Sequence, residues 1–409
     1  MTSRPLHAVL LPRGAAGGRL LEALAAALDG SGPAVLPLDP SLPKARLSEL
    51  IEAFAPASIE TAQDFQRNAW AGRRTRAGDR GVADDVAVVL ATSGSTGPPK
   101  GAELTAAALT ASATASLGRL GAAAGERWLC CLPVHHISGL GVLVRSLLAG
   151  STPVITDRAD AGVLVREVQR TGTHGCSYVS LVPTQLRRLL DAGAPLAGFR
   201  GILLGGAAVP PGLVAEAAAA GARVVTTYGM TETCGGCVYD GEPLDGVRVA
   251  CGADGRIRIS GAVLFAGYRL APELTRAALE DGWFVTSDLG DMRDGRLVVR
   301  GRADDVINSG GEKIVAGEVE HVLRGCPAVR DAVVVGTPHP DWGERVTAMV
   351  VAADEAVPPR LDEIRDYVRD WLPRYAAPQA MVLVAEIPML ASGKPDRQLI
   401  RDIAVRQTT

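Results

Sequence analysis

At 409 residues the chain is too long for one ordinary hydrophobic core, so two domains are expected. An apolar share of 47% with 21% charged residues excludes a disordered polymer. A net charge of −3 supplies no basic field, so nucleic acid is not an implied partner.

The first residues carry one early arginine and a short apolar run ending at Pro12-Arg13. That pattern reads as a first strand and not as a secretion signal, which places the chain in the cytoplasm. Residues 1–83 alternate short apolar strands (8–11, 34–38) with helical patterns (20–28, 47–54). Residues 67–80 form a polar connector rich in Arg and Gly. The apolar run 86–91 predicts a buried strand that enters Thr92-Ser93-Gly94-Ser95-Thr96-Gly97-Pro98-Pro99-Lys100-Gly101, with an Ala-rich helix from Leu104 onward. Strands are then expected at 128–133, 152–155, 178–181, 201–204 and 224–227. Helices at 136–148, 161–171, 184–192 and 211–220 alternate with them. That alternation predicts parallel α/β layers with sites at the strand C-terminal ends. No apolar run reaches membrane-spanning length; the best candidate, 140–148, is interrupted by Arg145.

After Gly241 the texture becomes short β segments (247–250, 256–260, 296–300), which predicts a β subdomain. Gly301-Arg302-Ala303-Asp304-Asp305 reads as a polar hinge. Beyond it, helices at 317–324 and 361–371 and strands at 332–336, 348–352 and 381–383 suffice for a small core of their own. The expected division is therefore 1–301 and 305–409.

Residues 92–101 have what a polyphosphate needs: glycines that admit the anion, N–H and hydroxyl donors, and one ammonium. A plain surface turn is the competing reading. The loop is not a Walker motif, because no Ser or Thr follows its lysine. Only four of the 42 basic residues are lysines, and Lys100, Lys313 and Lys394 all lie in glycine-containing segments. A compact ammonium is not replaced by a planar guanidinium where one phosphate oxygen is met head-on. Tyr228 offers a face for a base, Thr231 a hydroxyl, Glu232 a hard oxygen for magnesium, and Asp288 an acceptor for ribose hydroxyls. Each has a plain structural alternative taken singly. The seven cysteines fit reduced thiols better than a disulfide framework, and Cys234 and Cys237 lack the further ligands of a zinc site.

In this order the motifs resemble the adenylate-forming superfamily of acyl-CoA synthetases, luciferases and adenylation domains. The resemblance rests on TSGSTGPPKG at 92–101, YGMTE at 228–232, WFVTSD at 283–288, GRADD at 301–305, GGEK at 310–313 and PMLASGK at 388–394. It implies a large N-terminal domain of layered α/β with a β subdomain, and a small mobile α+β C-terminal domain hinged at Asp304. It also implies two half-reactions: a carboxylate attacks the α-phosphate of ATP, and a thiol, usually CoA, then takes the acyl group. Thr92, Ser93, Gly94, Ser95, Thr96, Gly97 and Lys100 would cradle the distal phosphates. Gly205, Gly206 and Tyr228 would hold adenine, with Ala207, Gly229 and Met230 also in the ATP site, Thr231 would meet the α-phosphate, and Glu232 would hold Mg2+. Asp288 and Arg302 would take the ribose, and Lys313 stands where a basic residue is often near AMP. Lys394 would be the adenylation lysine, and Gly311 would line the route of the thiol arm.

The short N-terminal region and the segments LPVHHISGL at 132–140 and TETCGGCVY at 231–239 resemble the o-succinylbenzoate–CoA ligases of menaquinone biosynthesis. His136, Ser138 and Gly139 would then line the acyl pocket, with a helix-capping or core role as the alternative for His136. A dicarboxylic acid needs a second anion site; Arg145 is the candidate, or else is solvated or salt-bridged. Another acyl-CoA ligase, a module loading a carrier protein, or a silent nucleotide-binding protein stay open, as does the oligomeric state, a homodimer included.

Overall fold

A computed structural model describes residues 3–10, 13–62, 73–74, 80–92, 99–156, 162, 165–166, 176–390 and 394–408. Two compact units emerge. The first comprises Met1–Gly206, Ala215–Arg248 and Ile259–Phe284; the second comprises Ala207–Val214, Val249–Arg258 and Val285–Thr409. No described helix is long and apolar enough to cross a membrane.

The first unit holds two seven-stranded sheets. In one, the order is Gly267–Tyr268, Lys100–Thr105, Val86–Thr92, Ala34–Pro37, Leu6–Leu10, Ser58–Thr61 and Arg73–Arg74. Its centre is parallel, as expected for strands linked through the helices Arg13–Leu28 and Lys44–Phe54. Leu6, Ala8, Ala34, Leu36, Val86 and Val89 are buried in its core with Leu50 and Phe54. The chain after Thr92 departs from expectation. Residues Lys100–Thr105 do not lead directly into a helix but return antiparallel along Val86–Thr92, with Thr92 opposite Lys100. The helix begins only at Ala106, where the Thr105 side chain accepts from the Ala108 N–H at 3.0 Å.

One charged group is sealed inside this sheet. Arg19 meets the Glu60 carboxylate through two hydrogen bonds of 2.9 and 3.2 Å, and His7 Nε2 lies 3.2 Å from the same carboxylate. His7 Nδ1 contacts Ser58 Oγ at 2.6 Å. Glu60 is 2% exposed, so removing it deprives the buried Arg19 guanidinium of two carboxylate bonds. Glu60→Ala is expected to cost about 3–5 kcal/mol, read from the denaturant midpoint; a loss below about 1 kcal/mol would mean water reaches the cluster.

The second sheet runs Val154–Ile155, Trp128–Cys130, Tyr178–Leu181, Gly201–Leu204, Val224–Met230, Gly235–Tyr239 and Glu242–Pro243. The first five strands are parallel and the last two turn antiparallel. Gly201–Leu204 and Val224–Met230 are neighbours, so the segments leaving their C-terminal ends emerge side by side. Most of the expected helix at 161–171 and of the connector at 67–80 lies outside the described residues; within the latter, Arg73–Arg74 pairs with Ser58 and Ile59.

In the second unit, the strand Trp283–Arg293, from Val285 onward, and Arg296–Arg302 form a hairpin turning at Asp294-Gly295. A five-stranded sheet follows in the order Glu312–Val315, Val306–Ser309, Gly343–Ala352, Val329–His339, with Ala380–Leu383 parallel to Gly343–Ala352. Alternation along Val329–His339 covers both faces. Ala332 and Val334 pack with helices Ala316–Arg324 and Leu361–Arg369, while Val333 and Val335 pack with helix Arg397–Thr408.

Candidate active site

Within the first unit Thr92 and Lys100, which bound the expected phosphate loop, lie opposite each other in a hairpin. Thr92 Oγ1 donates to the Lys100 carbonyl at 3.3 Å across its base, while Ser93, Gly94, Ser95, Thr96 and Gly97 lie outside the described residues. Gly205 and Gly206 follow the strand Gly201–Leu204. A Cβ at Gly205 would stand 2.2 Å from Thr227 Oγ1, so only glycine lets the two strand ends come this close. Gly229 is required for the same reason, since a Cβ there would meet the Gly235 carbonyl at 2.0 Å.

A single 3-10 turn, Thr231–Thr233, terminates the strand carrying Tyr228, Gly229 and Met230. Thr233 pins it: the Met230 N–H donates to Thr233 Oγ1 at 2.9 Å, and that hydroxyl lies 2.7 Å from the Gly235 carbonyl. Thr231 and Glu232 are therefore presented by rigid backbone. Tyr268 donates its hydroxyl to Glu232 Oε1 at 2.8 Å. Burial first, and the Glu232 carboxylate next, push the Tyr268 phenol well up, so it stays a donor. Its strand pairs with Lys100–Thr105, Tyr268 opposite Ala102, which ties the lysine hairpin to the carboxylate. Tyr268 escaped the motif reading because it lies 36 residues from Glu232; its one sequence signal is a lone Gly-Tyr-Arg after an apolar run.

His136 sits at the N-cap of helix Ile137–Leu148 but its side chain makes no capping bond. Its ring lies 4.6 Å from that of His135, which faces Asp39 at 3.5 Å. Ser138 and Gly139 form the first turn of the same helix. Arg145 lies two turns further along and is 9% exposed, not solvated. Its Nη2 donates to Ser180 Oγ at 3.1 Å and its guanidinium lies 4.4 Å from the Trp128 ring centroid. Burial lowers its pKa, opposed only by Tyr239 and Cys130; its Nε has no hydrogen-bond partner among the described residues. No carboxylate among the described residues forms an ion pair with it. Cys234 and Cys237 are also buried, which pushes both thiols up, Cys237 to about 12, and disfavours the reactive thiolate.

In the second unit the hairpin register sets Asp288 opposite Arg302, with Nη1 to Oδ1 at 3.2 Å. Arg302 Nη2 also donates to Asp304 at 2.9 Å. Desolvation works against the Arg302 charge, but Asp288 and then Asp304 outweigh it and hold its pKa up. Gly311 belongs to the Gly310-Gly311 turn between Val306–Ser309 and Glu312–Val315, and Lys313 is exposed on the latter strand. Ala207 belongs to this unit. Lys394 is exposed on a turned-back segment in which the Leu390 N–H donates to the Lys394 carbonyl at 2.8 Å and Met389 bridges to Pro395.

Residues 21–269 match the AMP-binding enzyme family, and residues 318–394 match the AMP-binding enzyme C-terminal domain. The chain belongs to the AMP-binding enzyme family. Its relatives within that family include a Mycobacterium tuberculosis protein named "Probable 2-succinylbenzoate--CoA ligase", 42% identical over 98% of this chain and 99% of the relative. The o-succinylbenzoate CoA synthetase of Bacillus subtilis, solved with the acyl-adenylate intermediate OSB-AMP, aligns with a TM-score of 0.82 at 28% identity, over 97% of this chain and 88% of that one. Solved in complex with ATP and magnesium ion, the same protein gives a TM-score of 0.81 at 28% identity, over 98% and 89%. The mixed α/β fold is thus that of adenylate-forming enzymes, as the motif order implied.

Proposed function

We infer that this AMP-binding enzyme is a 2-succinylbenzoate–CoA ligase of menaquinone biosynthesis. It joins the acid to AMP from ATP with release of pyrophosphate, then transfers the acyl group to CoA. The observation that carries this reading is 42% identity across essentially the whole chain to a relative of that name.

The reaction brings together two anions, so positioned cations and donors supply most of the rate. Residues 92–100 would hold the distal phosphates, with Gly205, Gly206, Ala207 and the Tyr228–Met230 strand end on adenine, Thr231 on the α-phosphate, and Asp288 and Arg302 on ribose. Lys313 would lie near the AMP. His136, Ser138 and Gly139 would line the acyl pocket, and Arg145 would take the second carboxylate. Lys394, carried on the part of the chain beyond a hinge at Asp304, would meet the charge that builds at the α-phosphate. Rotation about that hinge would then bring Gly311 to the thiol arm.

Magnesium takes one or two protein carboxylates and fills its shell with phosphate oxygens and water. Glu232, with one oxygen held by Tyr268 and Oε2 left to bind, fits that donor set. The ion would supply charge neutralisation on the phosphates. Tyr268→Phe removes a hydrogen bond to a charged group, about 1.5–3 kcal/mol. Half-maximal activity should then need roughly tenfold more magnesium; an unchanged titration would detach Tyr268 from the site. The seven thiols, six of them buried, support a reducing, cytoplasmic setting.

Mass spectrometry of products from ATP, magnesium, CoA and 2-succinylbenzoate tests the reading. The acyl-CoA, AMP and pyrophosphate should form in equal amounts. Acid-dependent pyrophosphate exchange without a CoA thioester would instead identify a carrier-loading module.

A further inference from the structure

Arg397 joins two segments of the second unit that the proposed mechanism uses separately. Its Nε meets Asp305 Oδ2 at 3.0 Å, its Nη1 donates to the Val334 carbonyl at 3.0 Å, and its Nη2 donates to Glu320 Oε1 at 2.6 Å. Glu320 is 4% exposed and also accepts the Val334 N–H at 3.0 Å. The guanidinium is thus held from three sides by buried or half-buried oxygens. Asp305 closes the turn Ala303–Asp305, next to Asp304. On the other side, Arg397 opens the final helix three residues after Lys394, and the Asp396 N–H returns to the Pro388 carbonyl at 2.9 Å. A short chain of contacts therefore runs from the proposed pivot through one side chain to the base of the lysine segment.

We propose that Arg397 is a positioning residue for adenylation, locking the Lys394 segment to the far flank of the Asp304 pivot so that rotation there delivers the ammonium in register. The proposal rests on the adenylate-forming reading of Lys394 and Asp304. A lysine carried on a segment free to tilt would arrive displaced, and about 1 Å of misplacement can cost roughly a hundredfold in rate. The thioester half-reaction does not use Lys394 and should be spared.

The test measures both half-reactions on the full chain: acid-dependent pyrophosphate release, and CoA thioester formation from supplied acyl-adenylate. Arg397→Met and Asp305→Asn should each lower the pyrophosphate-release kcat by about ten- to a hundredfold, with KM for ATP within about twofold. Arg397→Lys should recover part of the loss, and the double variant should be no worse than the worse single, since the two groups act through one contact. Equal loss in both halves, additive losses, or undiminished adenylation would overturn the proposal. If Arg397→Met does not fold, Asp305→Asn and Arg397→Lys still decide it. Lys394→Ala run alongside separates the failures. If it spares adenylation, the reading of Lys394 falls; if it is selective while Arg397→Met is not, only the positioning role falls.

Discussion

Lys394→Ala should reduce acid-dependent pyrophosphate release by about 10²–10³-fold while leaving thioester formation from supplied acyl-adenylate within about twofold. The asymmetry follows from where charge appears. In the first half-reaction a carboxylate approaches a phosphorus already surrounded by anionic oxygens, and a lone ammonium stabilises the transition state more than either reactant. In the second, the acyl carbon is already activated and the attacking group is a thiol, so that ammonium has no comparable task. Lys394 is exposed, so its removal leaves no cavity. Equal loss in both halves would count against one pocket working in two configurations.

Arg145→Met should raise KM for 2-succinylbenzoate about a hundredfold and leave an analogue lacking the second carboxylate nearly unaffected. Truncating one partner of a buried charge pair costs roughly 2–5 kcal/mol, and each 1.4 kcal/mol is tenfold. The guanidinium is 9% exposed, rests on Trp128 and donates to the Ser180 hydroxyl, while its Nε meets no hydrogen-bond partner among the described residues. A buried cation with no paired carboxylate among the described residues destabilises the fold, so an apolar replacement of similar length should hold or raise stability. The opposite pattern, a lowered melting temperature with unchanged KM, would make Arg145 a structural prop for Trp128 and return the second-anion site to the unknown.

How far the sequence could be read depended on the distance over which each signal acts. Strands 178–181 and 201–204 were legible to the residue, being short apolar runs closed by glycine or proline. Lys100–Thr105 was not, because its Lys, Glu and Thr alternate with small residues and carry no strong strand signature. The hairpin Val306–Ser309 and Glu312–Val315 was hidden by the polar residues around its Gly310-Gly311 turn. Candidate site residues in contiguous motifs could be proposed from the chain alone, whereas Tyr268 and Arg397 make their contacts across pairings that only folding creates. Arg145 illustrates the limit most clearly. Sequence marked it as the charge that breaks an apolar run, but its inward burial comes from the packing of Ile137–Leu148 against Trp128 and Ser180.

The pairing of Gly267–Tyr268 with Lys100–Thr105 has a consequence for how the protein tolerates change. The placement of the Tyr268 hydroxyl, which holds Glu232, relative to the hairpin lysine is set by a ladder of main-chain bonds. Shifting either strand by one residue would turn that strand's side chains to the opposite face, carrying Lys100 or the Tyr268 hydroxyl away from its present position. Insertions and deletions in this stretch should therefore abolish activity outright, with no graded intermediates.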